Sequence, residues 1–349
     1  MIGEHFPCPN CGQDILLPRK PRAQQEKIKL TVTAPPPDVY QPPQLMQIAQ
    51  QIMANVQRVI VGKPEQVTLA VVALFGEGHI LFEDVPGVAK TMLSRAIAQS
   101  VGCTFKRIQC TPDLQPEHVV GEFILNPATG RKDFQFGPLF SQMVLVDEIN
   151  RASPRTQSAL LEAMGEGMVS MDRVSYRLER PFMVMATQNP IEQEGTFRLP
   201  EAQMDRFLIR LSLGYPSAEE EREMCQRVQV QHPIESLEPI TDAEQILKCQ
   251  RGVRNIPVAP EACDYLVTLT RATREHAALR LGASPRGSLG LFHAAQALAA
   301  VQGEPSVTIN HVQKLAEPVL GHRLLLRRDA LQDYPDGATV IREIASKLA

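Results

Sequence analysis

Between residues 44 and 215, short apolar runs of strand length alternate with stretches of helical periodicity, and no other feature narrows the fold as far. GHILFED, FKRIQC, MVLVDE, PFMVMATQN and RFLIRLSL read as strands. LMQIAQQIMANVQRVI carries apolar residues at helical spacing, and KTMLSRAIAQSVG reads as a helix with Gly102 as its stop. Ser153 can cap a further helix that starts at Pro154 and ends at Gly165. Strands separated by helices imply a parallel sheet covered on both faces, so the expected class is α/β.

Two stretches break the alternation. EFILNPATGRKDFQF reads as a hairpin around Asn126 to Gly130, and MVSMDRVSYRLERP as a second. Both are expected to project from the sheet. From 216 to 349 the text turns helical: AEEEREMCQRVQ, DAEQILKCQ, PEACDYLVTLTRATREH, PRGSLGLFHAAQALAAVQ and TINHVQKLAEPVL each read as helices. Residues 1–43 differ again, with a Cys-x-x-Cys followed by the proline-rich text TAPPPDVYQPPQ. Prolines 35, 36, 37, 42 and 43 favour an extended linker. The expected division is a tail and linker over 1–43, an α/β domain over 44–215 and a helical domain over 216–349.

The 349 residues include 36 Lys and Arg against 39 Asp and Glu, a net charge of −3. That balance argues against general attraction to nucleic acid or membrane. No apolar run approaches the roughly 18 residues of a membrane-spanning helix. The start, MIGEHFPCPN, lacks the basic and apolar segments of a secretory leader. Seven scattered cysteines form no disulfide framework, which suits a reducing compartment, and a cytoplasmic location is expected.

The segment Glu83-Asp84-Val85-Pro86-Gly87-Val88-Ala89-Lys90-Thr91 follows a strand and opens a helix, the setting of a phosphate-binding loop. The loop from Pro86 to Met92 could cradle phosphates through its backbone N–H groups, which begin at Gly87, with Lys90 as a point charge and the Thr91 hydroxyl on Mg²⁺. The strict G-x-x-x-x-G-K-[ST] pattern is not met, because Asp84 and Ala89 stand at its two glycines. The bland alternative is an ordinary turn with an exposed lysine. A lysine at the positive end of a helix is unfavourable unless an anion sits there, which weakens that alternative.

Downstream, the apolar run Met143 to Val146 ends in Asp147-Glu148. Asp147 could hold Mg²⁺ and Glu148 could polarise water as a general base, although two carboxylates at a strand end are common. Thr187-Gln188-Asn189 closes the next strand, and Asn189 could orient water or the γ-phosphate. Ligands of open α/β sheets bind at the carboxyl ends of strands, so the three sites converge on one edge.

EDVPGVAKT, VLVDEINRASPRTQSALLEAM, ATQNPIEQEGTFRLPEAQMDRF and the late motif LAEPVLGHR together closely resemble the MoxR family of AAA+ ATPases, over about residues 45 to 330. The resemblance implies a P-loop core with a helical lid, and ATP with Mg²⁺ as ligands. It matches Lys90 and Thr91 to Walker A, Asp147 and Glu148 to Walker B, and Asn189 to sensor 1. It matches Arg206, in Met204-Asp205-Arg206-Phe207, to the arginine finger, and Arg286, in Gly282-Ala283-Ser284-Pro285-Arg286, to sensor 2. Arg286 falls in the first turn of a helix capped by Ser284, against the helix dipole, so an anionic partner is expected and the nucleotide would touch both domains. Arg151 and Arg155 rank below Arg206 as residues reaching a neighbour. The resemblance further implies a homo-oligomeric ring, usually a hexamer, acting on client proteins that often carry a von Willebrand factor A domain.

Cys8 and Cys11, in His5-Phe6-Pro7-Cys8-Pro9-Asn10-Cys11-Gly12, supply half the ligands of a zinc ribbon, and an unoccupied remnant fits the same text. Cys103 and Cys110 flank a strand and read as core residues. Three functions stay open: an ATP-driven protein remodeller, a nucleic-acid motor or loader, and a nucleotide-binding scaffold. The half ribbon and the hairpin residues Arg131 and Lys132 favour the second, and the net charge of −3 weighs against nucleic acid. The intact Asp147-Glu148, Asn189 and Arg206 set argues against the third.

Overall fold

The structure is a computed structural model that describes residues 4–7, 14–17, 39–125, 132–171, 174–189, 197, 199–229 and 231–348. The chain separates into two compact units, Met1–Pro36 and Pro37–Ala349. In the first, β1 (Glu4–Pro7) pairs antiparallel with β2 (Asp14–Leu17). Cys8 and Cys11 lie outside the described residues.

The second unit begins with α1 (Pro42–Gln57) and α2 (Pro64–Phe75). Pro42 and Pro43 belong to the helix rather than to a linker. At the first helical positions a proline loses only an N–H that has no intrahelical partner, and its φ already suits the helix. Helix α2 has no counterpart in the sequence reading. Its residues Val67 and Ala70 through Phe75 are all buried, so it shows no polar stripe for periodicity to detect.

Strand β3 (Ile80–Glu83) leads into α3 (Lys90–Ser100), followed by β4 (Phe105–Gln109), α4 (Pro116–Val120) and a hairpin of β5 (Gly121–Leu125) and β6 (Lys132–Phe136). Then come β7 (Met143–Asp147), α5 (Pro154–Glu166), a second hairpin of β8 (Met168–Met171) and β9 (Val174–Arg177), β10 (Met183–Gln188), α6 (Glu201–Met204) and β11 (Ile209–Leu211). Both hairpins lie where the sequence put them. The Asn126 to Gly130 turn and Arg131 fall outside the described residues. Ser153 caps α5 through Thr156 N–H, as its position suggested. The helix stops two residues later than expected, at Gly167, which takes φ 63° and ψ 25°. Glycine enters the left-handed region without the steric penalty a Cβ brings, so Gly167 is the stop.

The five central strands run in the order β11-β3-β10-β7-β4, and every neighbouring pair is parallel. Strand β7 is buried along its whole length, as the middle of a covered parallel sheet requires. One face carries Ile80, Phe82, Leu145 and Met185, packed with α1, α2 and α3. The other carries Leu81, Val144, Val146 and Val184, packed with α4 and α5. Each such fully buried side chain stabilises the fold by roughly 1.5–3 kcal/mol.

Beyond the sheet lie α7 (Ala218–Arg227), α8 (Ala243–Arg254), α9 (Pro260–Glu275), α10 (Pro285–Gln302), α11 (Ile309–Leu320) and α12 (Gly337–Leu348), with a small pair of β12 (Leu279–Leu281) and β13 (Leu325–Leu326). Helix α10 packs against α1 and α2, so this helical region shares a hydrophobic core with one face of the sheet. No helix among the described residues is long and apolar enough to cross a membrane.

Candidate functional site

Asp84, Asp147-Glu148 and Asn189 stand at the carboxyl ends of β3, β7 and β10, three adjacent strands. Register explains the convergence: Gln188 pairs with Glu83 and Val146 with Ala186, so the strands end side by side. Between β3 and α3 the loop turns on two left-handed residues, Gly87 at φ +86° and Ala89 at φ 63°. A Cβ on Gly87 would meet nothing within 4 Å, so the space beside the loop at Gly87 is open. Ala89, at the second glycine of the strict pattern, adopts the glycine conformation nonetheless, a local strain of about 1–2 kcal/mol.

Asp84 explains why the first glycine is dispensable. Its φ is not in the left-handed region, and its buried carboxylate serves as an acceptor. Oδ1 accepts from Ser212 Oγ at 2.9 Å and from Gly214 N–H at 3.2 Å, and Oδ2 accepts from Leu213 N–H. The base of the loop is thereby tied to the chain leaving β11. Nothing in the sequence joins these positions, which lie about 130 residues apart.

Lys90 Nζ donates to the carbonyls of Asp84 at 3.0 Å and Val85 at 3.2 Å. Burial pulls its ammonium below the usual lysine value, opposed by the charges of Asp84, Asp147 and Glu148. Those carboxylates therefore lie close enough to stabilise the cation. Thr91 follows as the second residue of α3, half-buried.

Thr187 organises the acidic pair. Its Oγ1 accepts from Glu148 N–H at 2.8 Å and donates to Asp147 Oδ1 at 3.3 Å. Glu148 takes φ 55° and ψ 50°, which turns it out of the strand direction. Its Oε2 accepts from Arg151 Nη1 at 3.0 Å, and Asp147 Oδ2 accepts from Arg107 Nε at 2.5 Å. Arg151 thus faces this chain's own carboxylate. Asn189 is buried beside the pair's strand, at the end of β10. Cys110 donates its N–H to the Asp147 carbonyl, and burial with the nearby Asp147 and Glu148 charges pushes its thiol up to about 12. Cys103 and Cys110 are buried, as read from the sequence.

Arg206 and Arg286 stand elsewhere. Leu208 and Ile209 N–H both donate to the His79 carbonyl, which precedes β3, so Arg206 lies at the amino edge of the sheet. The five residue steps from His79 to Asp84 put roughly 17 Å between that edge and the phosphate loop. The Arg206 guanidinium rests on Gly165, near the end of α5. Arg286 is with it: its Nη1 is 3.9 Å from Asp205 Oδ2, and the side chain is 58% exposed. The anionic neighbour expected of Arg286 is therefore Asp205. The expectation that Arg286 joins its own chain's nucleotide does not match this placement, because α10 packs along α2 and Leu208 at the amino edge.

Thr187, Arg107, Arg323 and the contacts of Asp84 escaped the sequence reading. For Arg323 a signal existed in the motif LAEPVLGHR, but no spacing shows what its arginine touches. Among the described residues, no cluster of three or more His, Cys, Asp or Glu side chains could hold a metal. A Mg²⁺ bound with a nucleotide needs no such cage, since it takes one or two protein ligands plus phosphate oxygens. The Asp147 carboxylate and the Thr91 hydroxyl, beside an open loop, fit that requirement.

Residues 79–209 match the family described as ATPase family associated with various cellular activities (AAA), and residues 271–344 match the AAA lid domain. The uncharacterized protein YeaC of Bacillus subtilis is 47% identical over 292 residues, covering 84% of this chain and 91% of that protein. Chaperone MoxR1 of Mycobacterium tuberculosis is 42% identical over 304 residues, covering 84% of this chain and 80% of that protein. The crystal structure of a candidate ATPase from Cytophaga hutchinsonii superposes with a TM-score of 0.82 at 33% identity, over 88% of this chain and 96% of that one. With these matches and this phosphate-loop core under a helical lid, the chain belongs to the MoxR family of AAA+ ATPases.

Proposed function

We propose that this ATPase remodels client proteins as a homo-oligomeric ring in which each subunit completes its neighbour's nucleotide site. The observation that carries the reading is the separation of the site into two halves. Lys90, Thr91, Asp147, Glu148 and Asn189 belong to the carboxyl edge of the sheet, and Arg206 and Arg286 to the region of the amino edge. Two halves at opposite ends of one subunit cannot act on the same phosphate, whereas a head-to-tail ring brings unlike edges together. The name of the relative Chaperone MoxR1 supports work on other proteins. The assembly we favour is a hexamer, and clients with a von Willebrand factor A domain belong to the same reading.

In this mechanism the loop from Pro86 to Met92 binds the phosphates through the backbone N–H groups from Gly87 onward, and Lys90 exchanges its carbonyl partners for phosphate oxygens. Mg²⁺, held by Thr91 and Asp147, would neutralise charge on the phosphates. Glu148 takes the proton of the attacking water, and Asn189 orients that water. Arg206 stabilises the charge that develops in the transition state across the subunit boundary, with Arg286 beside it.

The test is steady-state ATPase activity against protein concentration, wild type beside Arg206→Ala. Turnover per subunit should rise with concentration, and Arg206→Ala should lose about a thousandfold while still binding nucleotide. Concentration-independent turnover together with an active Arg206→Ala would overturn the shared site.

A further inference from the structure

Arg323, the last residue of the motif LAEPVLGHR, is buried with its side chain 3% exposed, and all of its donors point at two segments. Nε donates to the Val319 carbonyl of α11 at 2.8 Å. Nη1 donates to the Asp205 carbonyl at 2.9 Å and to Asp205 Oδ1, and Nη2 donates to the Phe207 carbonyl at 2.6 Å. A guanidinium with five fixed donors suits such a fork better than a lysine would. His322 reinforces it, its Nε2 lying 3.0 Å from the same Phe207 carbonyl. Burial and the adjacent Arg323 hold that imidazole neutral, so Nε2 carries the proton it donates.

The lid makes room for this contact. Gly287 and Gly290 of α10 face Arg323, where added Cβ atoms would lie 3.4 Å from its Cδ and 3.3 Å from its Nη2. Ser284, the cap of α10, donates to Asp205 Oδ2 at 2.8 Å. Asp205 is thus gripped by the lid on both carboxylate oxygens and on its carbonyl. The backbone of Arg206, the next residue, is thereby held between the Asp205 and Phe207 carbonyls, both bound by Arg323. Arg286 shares the same carboxylate at 3.9 Å.

We propose that Asp205 is a positioning residue through which Arg323 and Ser284 of the lid aim Arg206 and Arg286 at the neighbouring subunit's nucleotide. The inference rests on the shared-site reading above. It adds that lid and finger move as one body, so a lid rotation in one subunit retimes hydrolysis in the next. A buried charge pair of this kind links two elements rigidly, because separating its members strands an ion in the interior.

The experiment is complementation in mixed assemblies. Glu148→Gln has a dead catalytic site and an intact finger. Asp205→Asn has an intact catalytic site and a misaimed finger, and alone should lose about a hundredfold in turnover with nucleotide affinity little changed. Random one-to-one co-assembly should restore about a quarter of wild-type turnover, since one neighbour pair in four joins an intact site to an intact finger. Glu148→Gln mixed with Arg206→Ala is the control. If the control recovers and the Asp205→Asn mixture does not, the positioning role is overturned while the shared site stands. If neither recovers, the shared-site reading itself falls. Wild-type turnover by Asp205→Asn alone also overturns the role. Should Asp205→Asn not fold, Ser284→Ala takes its place, with about a tenfold loss that mixing recovers. Wild-type turnover there, or a loss that mixing leaves untouched, overturns the proposal.

Discussion

The Arg206 guanidinium lies directly against Gly165, where an added Cβ would fall 1.5 Å from Nη1. The crowded atom is the far end of a flexible side chain, so the helix can accept alanine while the arginine must move. Helix α5 begins beside Glu148 and Arg151 and ends under Arg206, and so links the two halves of the proposed shared site.

Gly165→Ala should therefore separate stability from activity. Alanine in a helix interior is favoured over glycine by about 0.5–1 kcal/mol, so the melting temperature should hold or rise. Turnover should fall at least about tenfold if Arg206 is the proposed finger, because its guanidinium is displaced. Thermal melts and steady-state ATPase assays on one preparation check both, and unchanged turnover would show that the resting place of Arg206 is immaterial.

Arg107 competes for the carboxylate assigned to Mg²⁺. Its Nε is 2.5 Å from Asp147 Oδ2, while half of its side chain is exposed on the edge strand β4. Arg107→Gln should lower the Mg²⁺ concentration for half-maximal activity by up to about fivefold, the upper end for a charge pair half open to water. A Mg²⁺ titration of the ATPase rate reads this directly.

Restoring the glycine of the strict phosphate-loop pattern should harm this chain. Asp84→Gly strips acceptors from Ser212 Oγ and from the N–H groups of Leu213 and Gly214. Stranding the buried Leu213 N–H costs about 1–3 kcal/mol and the two part-buried donors less, so chemical denaturation should show a loss of about 2–4 kcal/mol. Nucleotide affinity should fall with it, because the loop loses its anchor.

Acid should weaken the fold well before the carboxylates titrate. His79 is buried, with Nδ1 accepting from Val184 N–H and Nε2 donating to the Met164 carbonyl, each at 3.0 Å. Burial first, and the Arg206 charge in addition, pull its imidazole from 6.5 down to about 4. Between those values the unfolded chain binds a proton that the folded chain refuses. Stability is thus full above pH 6.5 and is lost as pH falls towards 4, by up to about 3 kcal/mol. Urea melts across that window should show the slope, and His79→Gln should remove the share that His79 contributes, leaving that of His322, which burial likewise holds neutral.

Much of the fold was legible because its signals are local. The apolar runs from Ile80, Met143 and Met183 are short and bounded by turn residues, and burial on both faces leaves that mark in any parallel strand. The phosphate loop was legible for the same reason, since a strand, a turn and a helix start are contiguous in the chain. Helix α2 was not legible, because burial of every residue from Ala70 to Phe75 leaves an unbroken apolar run without helical periodicity.

By itself, then, the sequence determined the strand–helix alternation, the phosphate loop with Lys90 and Thr91, the Asp147-Glu148 strand end and the family. Only the tertiary structure decided which of these groups face each other. Asp84 meets Leu213, Arg107 meets Asp147, and Arg323 meets Asp205 across 118 residues of chain. Arg206 and Arg286 likewise stand together at the amino edge, away from their own phosphate loop. The physical reason is that a hydrogen bond or ion pair depends on distance in space. Separation along the chain says nothing of that distance until the sheet order and the packing of the lid have set it.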